Sequence, residues 1–450
     1  MKRNQSQSNS GMVVLALLLL INAFIGVSAD KILVITEDNM KTENYNQFWA
    51  SLRSREHELK FRSVKEATPA LKEFDKPAFD HLILFAPSSK HFAADLSPQA
   101  LVQYLNDGGN ILLAGSSDIS EFWRDFVREF EIDFDDRSTA VMDHFQNHDQ
   151  DPTKIYSQAD SNSRLIEDEV IIPSSIKSSL SPILFRGIGH SIGKNPMLMS
   201  ILRASPVAYS KEIGTNETDT NPFIIGDEIG LISGFQTRKQ SRISFVGSID
   251  FFSDDFFNAE LTLPDGEKTP TGNKKVAERL SKWTFQELGV LRIISASHSK
   301  VNGEKEPSRY RINEEIEYKV DIQSLENGVW RPFMASDIQL EFTMLDPHLR
   351  VTLTPKKSKD GTFATYSKVF RAPDRHGVFT FNLDYRRRNG LTNLKNQLQV
   401  SVTPLEHDQY ERFIFGAYPY YLGSLNVLIG FFIFSIVWLT HVPGRSTKNS

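Results

Sequence analysis

The sequence predicts an α/β body, then a β-rich module, then a single membrane-spanning helix. Three observations carry this reading. Continuously apolar strand-like runs alternate with helical segments from Asp30 to residue 290. Short segments of alternating apolar and polar residues fill 291–405, and an apolar, charge-free stretch occupies 418–440.

The α/β part opens with KILVITE (31–37), apolar throughout and ending at Glu37-Asp38-Asn39. A helix is predicted from Tyr45 to Arg55, with Phe48, Trp49 and Leu52 on its apolar side. LKFRSV (59–64) and HLILFAP (81–87) read as the next strands. A helix from Pro98 to Asn106 stops at Gly108-Gly109, because glycine closes helices at the residue past the end. NILLAGS (110–116) is the fourth strand, and Ile119–Phe130 the following helix. Strands apolar on both sides and separated by helices imply a parallel sheet covered on both faces, as in flavodoxin-like or Rossmann-like folds. The polar run 146–164 reads as a connection. Further strands are predicted in 181–189, 206–210, 223–235 and 241–248, and a helix from Lys274 to Leu288 carries Val276, Leu280, Trp283 and Phe285. Residues 30–290 are thus one α/β unit, with room for two lobes.

A polar link is predicted at 295–308. Beyond it, segments 310–322, 335–345, 350–355, 365–373 and 377–387 alternate apolar and polar residues between Pro, Gly and Asp, with no helical period. Such spacing indicates an antiparallel β-sandwich-like domain over 291–405.

The two ends differ in kind. Lys2 and Arg3 precede an apolar run from Met12 to Val27, and Val27-Ser28-Ala29 places small residues where a signal peptidase acts; residues 1–29 read as a signal peptide. Near the other end no Asp, Glu, Lys or Arg stands between Arg412 and Arg445. About 20 helical residues rising 1.5 Å each match a hydrocarbon core of about 30 Å. Tyr418, Tyr420 and Tyr421 mark one edge and Trp438 the other, where amphipathic rings prefer the headgroups. Arg445 and Lys448 beyond the helix put 441–450 in the cytosol and the body in the lumen, a single-pass type I topology.

With no cysteine, the body uses no disulfides, and its length supplies a core without them. A net charge of -5, with both signs interspersed, gives no basic face and excludes a nucleic-acid partner as the natural reading. Asn216-Glu217-Thr218 is an N-glycosylation sequon in a polar stretch.

Chemistry is sparse. Gly189-His190-Ser191-Ile192-Gly193 matches the nucleophile-elbow pattern, which needs a strand before it and a helix directly after. Lys194-Asn195-Pro196 opposes that helix, so a structural glycine-rich bend is the better reading. Asp133, Asp135 and Asp136, and the pair Asp254-Asp255, are of the type that holds divalent cations, yet nothing supplies the remaining ligands. His144 and His148 could share a helix face, with no third ligand evident. Glu37-Asp38-Asn39, Gly115-Ser116-Ser117 and Gly247-Ser248 follow apolar strands, where α/β sheets place ligand crevices, and also simply meet the need for turn residues. No catalytic, cofactor or metal site is assigned.

Six segments in order, KILVITED, FDHLILFAPSSK (79–90), LNDGGNILLAGSSDIS (105–120), FRGIGHSIG (185–193), SRISFVGSIDFFSDDFF (241–257) and FGAYPYYLGS (415–424), resemble the family of 48-kilodalton subunits of oligosaccharyltransferase. The resemblance implies a non-catalytic subunit of the complex that moves a preassembled oligosaccharide from dolichyl diphosphate to asparagine in nascent chains, in the endoplasmic reticulum membrane. It implies no cofactor and, besides membrane lipid, four partners: the catalytic multi-spanning subunit, ribophorins I and II, and a small multi-spanning subunit. Gly423, Ser424, Gly430 and Ser435 would let partner helices approach, and Asn426 would hydrogen-bond across the contact. The competing readings are a free-standing lumenal serine hydrolase built on Ser191 and a type I cargo or adhesion receptor.

Overall fold

The computed structural model describes residues 30–442 and 444, apart from 75, 159–163, 167, 169, 215–221, 263–267, 302, 304, 327, 359 and 388–391. The signal-peptide reading, Asn216 and most of the predicted cytosolic tail therefore lie outside the described residues.

The first module contains β1 (Lys31–Thr36), α1 (Asn46–Arg53), β2 (Glu58–Ser63), β3 (His81–Phe85), α2 (Pro98–Asn106), β4 (Asn110–Ala114), α3 (Glu121–Arg128) and β5 (Ile132–Phe134). It continues through β6 (Asp151–Ser157), β7 (Ile183–Phe185), β8 (His190–Ile192), β9 (Leu198–Arg203), β10 (Gly230–Gln236), β11 (Arg242–Val246) and α4 (Asn273–Thr284). One nine-stranded sheet runs β2-β1-β3-β4-β11-β10-β8-β5, with β9 also on β10. The first five strands in that order are parallel; β10, β9, β8 and β5 join antiparallel. The sheet is mixed rather than wholly parallel: β10 reaches β11 through the short turn 237–241, which leaves no room for the crossover that a parallel pair needs.

Alternate residues of each central strand feed opposite cores. Ile32 and Val34 join α1 and α4 through Phe48, Trp49, Leu280 and Trp283, while Leu33 and Ile35 join α2 and α3 through Leu101, Tyr104, Trp123 and Phe126. The buried aromatics keep their polar atoms bonded: Tyr104 Oη donates to the Phe79 carbonyl at 3.0 Å and Trp123 Nε1 to the Ala86 carbonyl at 2.7 Å. Two glycines end α2 for different reasons. Gly108 sits at φ 109°, and a Cβ on Gly109 would stand 2.2 Å from the Tyr104 ring. The polar run read as a connection instead contains β6, which pairs with β7. Only Ile155, Tyr156 and Ser157 of it are buried, so pairing rather than local apolarity makes that strand.

The second module begins at once. The predicted link at 295–308 is overturned: β12 (Leu288–Lys300) runs through its first half, and α4 ends before Leu288. The further strands are β13 (Arg309–Arg311), β14 (Glu315–Glu326), β15 (Val329–Pro332), β16 (Gln339–Met344), β17 (Asp346–Thr352), β18 (Thr354–Lys357), β19 (Ala364–Arg371), β20 (Gly377–Arg387) and β21 (Thr392–Thr403). They form two five-stranded sheets, β12-β14-β19-β18 with β15 on β14, and β13-β21-β20-β16-β17. Ile316, Tyr318 and Val320 of one sheet share a core with Leu340, Phe342, Phe379 and Phe381 of the other. Pairing is antiparallel throughout except β13 with β21, which is parallel. Last comes α5 (Tyr418–Thr440), exposed along its length and, among the described residues, the one helix long and apolar enough to cross a membrane.

The joint between the modules is built on Arg242. Its side chain is buried, and its guanidinium donates to the carbonyls of Trp283 (2.8 Å), Leu288 (2.6 Å) and Gly289 (2.8 Å) and to Gln236 Oε1 (3.1 Å). Desolvation pushes its pKa down to about 9. Arg242→Met would remove four hydrogen bonds, leaving the Trp283 carbonyl only its bond from Gln286 N at 3.1 Å, so a loss of roughly 3–5 kcal/mol in urea unfolding is expected. Proteolysis between 283 and 291 should also accelerate; unchanged stability would show that the joint does not depend on this side chain.

Candidate functional site

Two edges of the parallel strands could house a site. At the carboxyl edge, Glu37 accepts from Ser88 N (2.7 Å) and Ser88 Oγ (2.8 Å), tying the ends of β1 and β3 together. The ends of β4 and β11 are covered by 186–189. Ile188 N donates to the Gly247 carbonyl at 2.9 Å, Ser248 Oγ to the Arg186 carbonyl at 2.5 Å, and Gly115 N to the Val246 carbonyl at 2.7 Å. A Cβ on Gly187 would lie 2.1 Å from the Gly247 carbonyl oxygen, and one on Gly247 2.0 Å from that of Ile188. Gly187 and Gly247 thus allow two backbones to touch where an open α/β sheet would hold a ligand.

Ser191 is no elbow. It lies in the middle of β8, paired with Asp133, rather than on a strand-to-helix turn. His190 and Ser191 are successive strand residues, so their side chains leave opposite faces of the sheet and cannot form a nucleophile–base pair. His190 is wholly buried, with Nε2 2.6 Å from Ser233 Oγ, and its ring passes over Gly230, where a Cβ would be 2.7 Å from Nε2.

The acidic groups are engaged elsewhere. Asp133 meets Arg128 at 3.0 Å and Asp136 meets Arg124 at 2.7 Å, while burial pushes the Asp135 carboxyl above its usual range. Asp254 accepts from the backbone N–H of Asn46 (3.1 Å) and Gln47 (2.9 Å), capping the start of α1 from a distant part of the chain. Asp255 beside it is exposed. His144 and His148 share no helix: His144 Nε2 is 2.8 Å from Tyr209 Oη, and His148 lies in a short strand beside Asp149 at 3.2 Å.

The amino edge brings together residues that no sequence spacing connects. Asp30, His57 and His81 stand at the starts of β1, β2 and β3, with ligand-type atoms all within 4.8 Å of one another. The facing His81 ring, 3.7 Å away, holds the Asp30 carboxyl below its ordinary range. Asn110 decides the chemistry here. Its Oδ1 accepts from Arg242 N (2.8 Å) and Gln286 Nε2 (2.9 Å), so its amide nitrogen is what faces His81 Nδ1 at 3.2 Å. His81 Nδ1 is therefore an acceptor and the ring proton sits on Nε2, pointing at Asp30. A metal would need that same nitrogen as a lone pair, so the tautomer that Asn110 fixes opposes a metal centre; among the described residues His81 Nε2 and His57 Nδ1 make no hydrogen bond.

The rest of the edge explains it. His57 Nε2 is 2.9 Å from Glu287 Oε1, Arg55 reaches the same oxygen at 2.6 Å, and Phe285 stacks on His81 with centroids 4.7 Å apart. These are the residues on which the segment leading to the second module rests.

Burial holds His190 neutral, its pKa pushed down to about 3, whereas an unfolded chain takes up that proton below about pH 6.5. Stability from this group is present above about 6.5 and is lost as pH falls toward 3, at up to about 1.4 kcal/mol per pH unit. His190→Gln should flatten the difference between unfolding free energies at pH 7 and pH 5 by part of that slope. An identical slope would rule the histidine out as its source.

Two family models match, the OST48 N-terminal domain over residues 23–287 and the OST48 middle domain over 298–442. Three relatives carry the name dolichyl-diphosphooligosaccharide–protein glycosyltransferase 48 kDa subunit. The one from Caenorhabditis elegans is 39% identical over 432 residues, 93% of this chain and 94% of the relative. Those from Danio rerio (36%, covering 96% of each chain) and Drosophila melanogaster (36%, covering 92% and 93%) follow. Among solved structures, a ThuA-like protein from Parabacteroides merdae aligns with 57% of this chain and 90% of its own at 12% identity and TM-score 0.30, too remote a likeness to carry any inference. The chain belongs to the OST48 family, the 48 kDa subunits of oligosaccharyltransferase.

Proposed function

We propose that the chain is the non-catalytic 48 kDa subunit of an oligosaccharyltransferase, bracing the subunit that transfers oligosaccharide from a dolichyl diphosphate carrier to asparagine in N-x-S/T sequons of nascent chains. The relatives' name, shared over more than nine-tenths of the chain, supports membership of the complex. The single observation that supports a bracing role is the filled carboxyl edge, where Gly187 and Gly247 meet backbone to backbone. Its partners would be the catalytic multi-spanning subunit, ribophorins I and II and a small multi-spanning subunit.

In this reading residues 30–290 form a lumenal flavodoxin-like α/β domain, 291–405 a lumenal β-sandwich-like domain, 418–440 the span and 441–450 a cytosolic tail, after removal of 1–29. The order β2-β1-β3-β4-β11 supports the first of these. The span and the membership of a dolichol-dependent complex favour a single-pass type I protein of the endoplasmic reticulum membrane with its bulk in the lumen. Asn216 would then face the glycosylation machinery itself. Depletion of the chain should leave secretory proteins under-glycosylated, and re-expression of either the wild type or Ser191→Ala should restore them. Normal glycosylation after complete loss would remove the subunit reading, and failure of Ser191→Ala alone would favour a hydrolase.

Contact with partner helices belongs to α5. At about 100° per residue, Gly423, Asn426 and Gly430 fall on one stripe, while Ser424 and Ser435 fall on another roughly a third of a turn away. Ser424 Oγ already donates to the Tyr420 carbonyl at 3.0 Å. The glycine stripe, with Asn426 as its polar tie, is the stronger docking face, because small residues let helices approach closely in lipid. Gly430→Leu should reduce recovery of the chain with its partners in mild detergent, and Ser435→Leu should reduce it less. The reverse order would move the interface to the serine stripe.

A further inference from the structure

We propose that Phe413–Tyr421 is an aromatic foot seated in the headgroup layer of the bilayer, on the same side as the globular body, so that within the 418–440 helix the part immersed in hydrocarbon begins at Leu422. The foot is folded rather than a loose tether. Phe415–Ala417 forms a 3₁₀ turn that leads into α5. Phe413 stacks on Tyr421 with centroids 5.1 Å apart and an interplanar angle of 28°, and Phe415 stacks on Tyr418 at 6.5 Å and 20°. With Tyr420, five rings surround the first turn of the helix, and among the described residues none covers them: Phe415 is 82% exposed, Tyr420 78% and Phe413 55%.

Continuity with the span identifies the occupant. An exposed apolar patch of this size in water is costly, and this one runs without a charged residue into α5. Just upstream, Glu406, Asp408, Glu411 and Arg412 mark where solvent begins. The rings match the layer in question, since tyrosine presents an apolar body with a polar tip and a bilayer interface offers both environments within a few ångströms. Removing Tyr418–Tyr421 from the span leaves Leu422–Leu439, about 27 Å of helix at 1.5 Å per residue, close to the hydrocarbon thickness of about 30 Å. The foot would therefore set the height and tilt of the body above the membrane through the short run 404–412.

The absence of cysteine makes the test direct. Phe413→Cys and Phe415→Cys, each made singly in the full chain and carrying a nitroxide, are reconstituted in phosphatidylcholine vesicles. Ile429→Cys in the span and Lys395→Cys on the second module serve as references. Collision with oxygen, which concentrates in lipid, is compared with collision with a water-soluble nickel chelate. At 413 and 415 the oxygen-to-nickel ratio should lie between the two references and several-fold above that at 395. A ratio equal to that at 395 would put the rings in water and overturn the proposal. Exclusion of both reagents would show a protein-covered surface and overturn it equally. The readout needs only the lone chain, so it stands or falls separately from the subunit reading.

Discussion

A buried guanidinium without solvent must find oxygen, and the rest of this structure is arranged around how Arg242 does so. It starts β11, beside β4 in the middle of the nine-stranded sheet, and collects three backbone carbonyls from the turn that ends α4 and opens β12. Desolvation works against it, which its depressed pKa reflects, and charge-assisted hydrogen bonds to the carbonyls of Trp283, Leu288 and Gly289 offset that cost. The result is a joint in which the second module's first strand is held by the first module's central strand. Neighbouring contacts extend it: Arg55 and His57 share Glu287, and Gln286 reaches both Asn110 and the Gln240 carbonyl.

This accounts for the cluster of Asp30, His57 and His81. Two buried imidazoles beside a carboxylate have the outward form of a metal site. The amide of Asn110 is committed to Arg242 N, and through it the position of one proton on His81 is decided. The same edge that would attract attention as a reactive centre is the seat of the inter-module turn, with Phe285 as its aromatic floor. At the opposite edge, where α/β sheets usually bind ligands, the backbones of 186–189 and Gly247 occupy the space. Both ends of the parallel strands are thus used for holding the chain together.

Much of the fold was legible in the residues. The helix from Pro98 to Asn106 and the strand from Gly377 to Arg387 have the predicted limits, because Pro98 and Gly108 punctuate the first and Gly377 opens the second. β21 went unread although Leu394, Leu398, Val400 and Val402 alternate in it; the signal was present, diluted by Asn, Lys and Gln on the outward face. β6 offered no such signal, since Asp151-Pro152-Thr153-Lys154 is polar; it is a strand through its partners, with Asp151 opposite His148 of the short strand Asn147–His148 and Ile155–Ser157 alongside β7. β15, four residues long, is similarly a product of its pairing with β14.

Alone, the order of residues determined what depends on neighbours within a few positions: a charge-free run long enough to span lipid, the alternation that marks strands, glycine and proline at their ends, and the want of any complete catalytic motif. Tertiary structure decided everything that depends on which strand lies beside which. Asp254 caps a helix begun some two hundred residues earlier, Glu287 joins Arg55 and His57 across a still greater separation, and His190 and Ser191 are parted by a pleat despite adjoining in the chain. Periodicity states that a residue is buried, because burial follows from its own side chain and its spacing. It leaves open what the residue is buried against, because that is set by the folding of the whole chain.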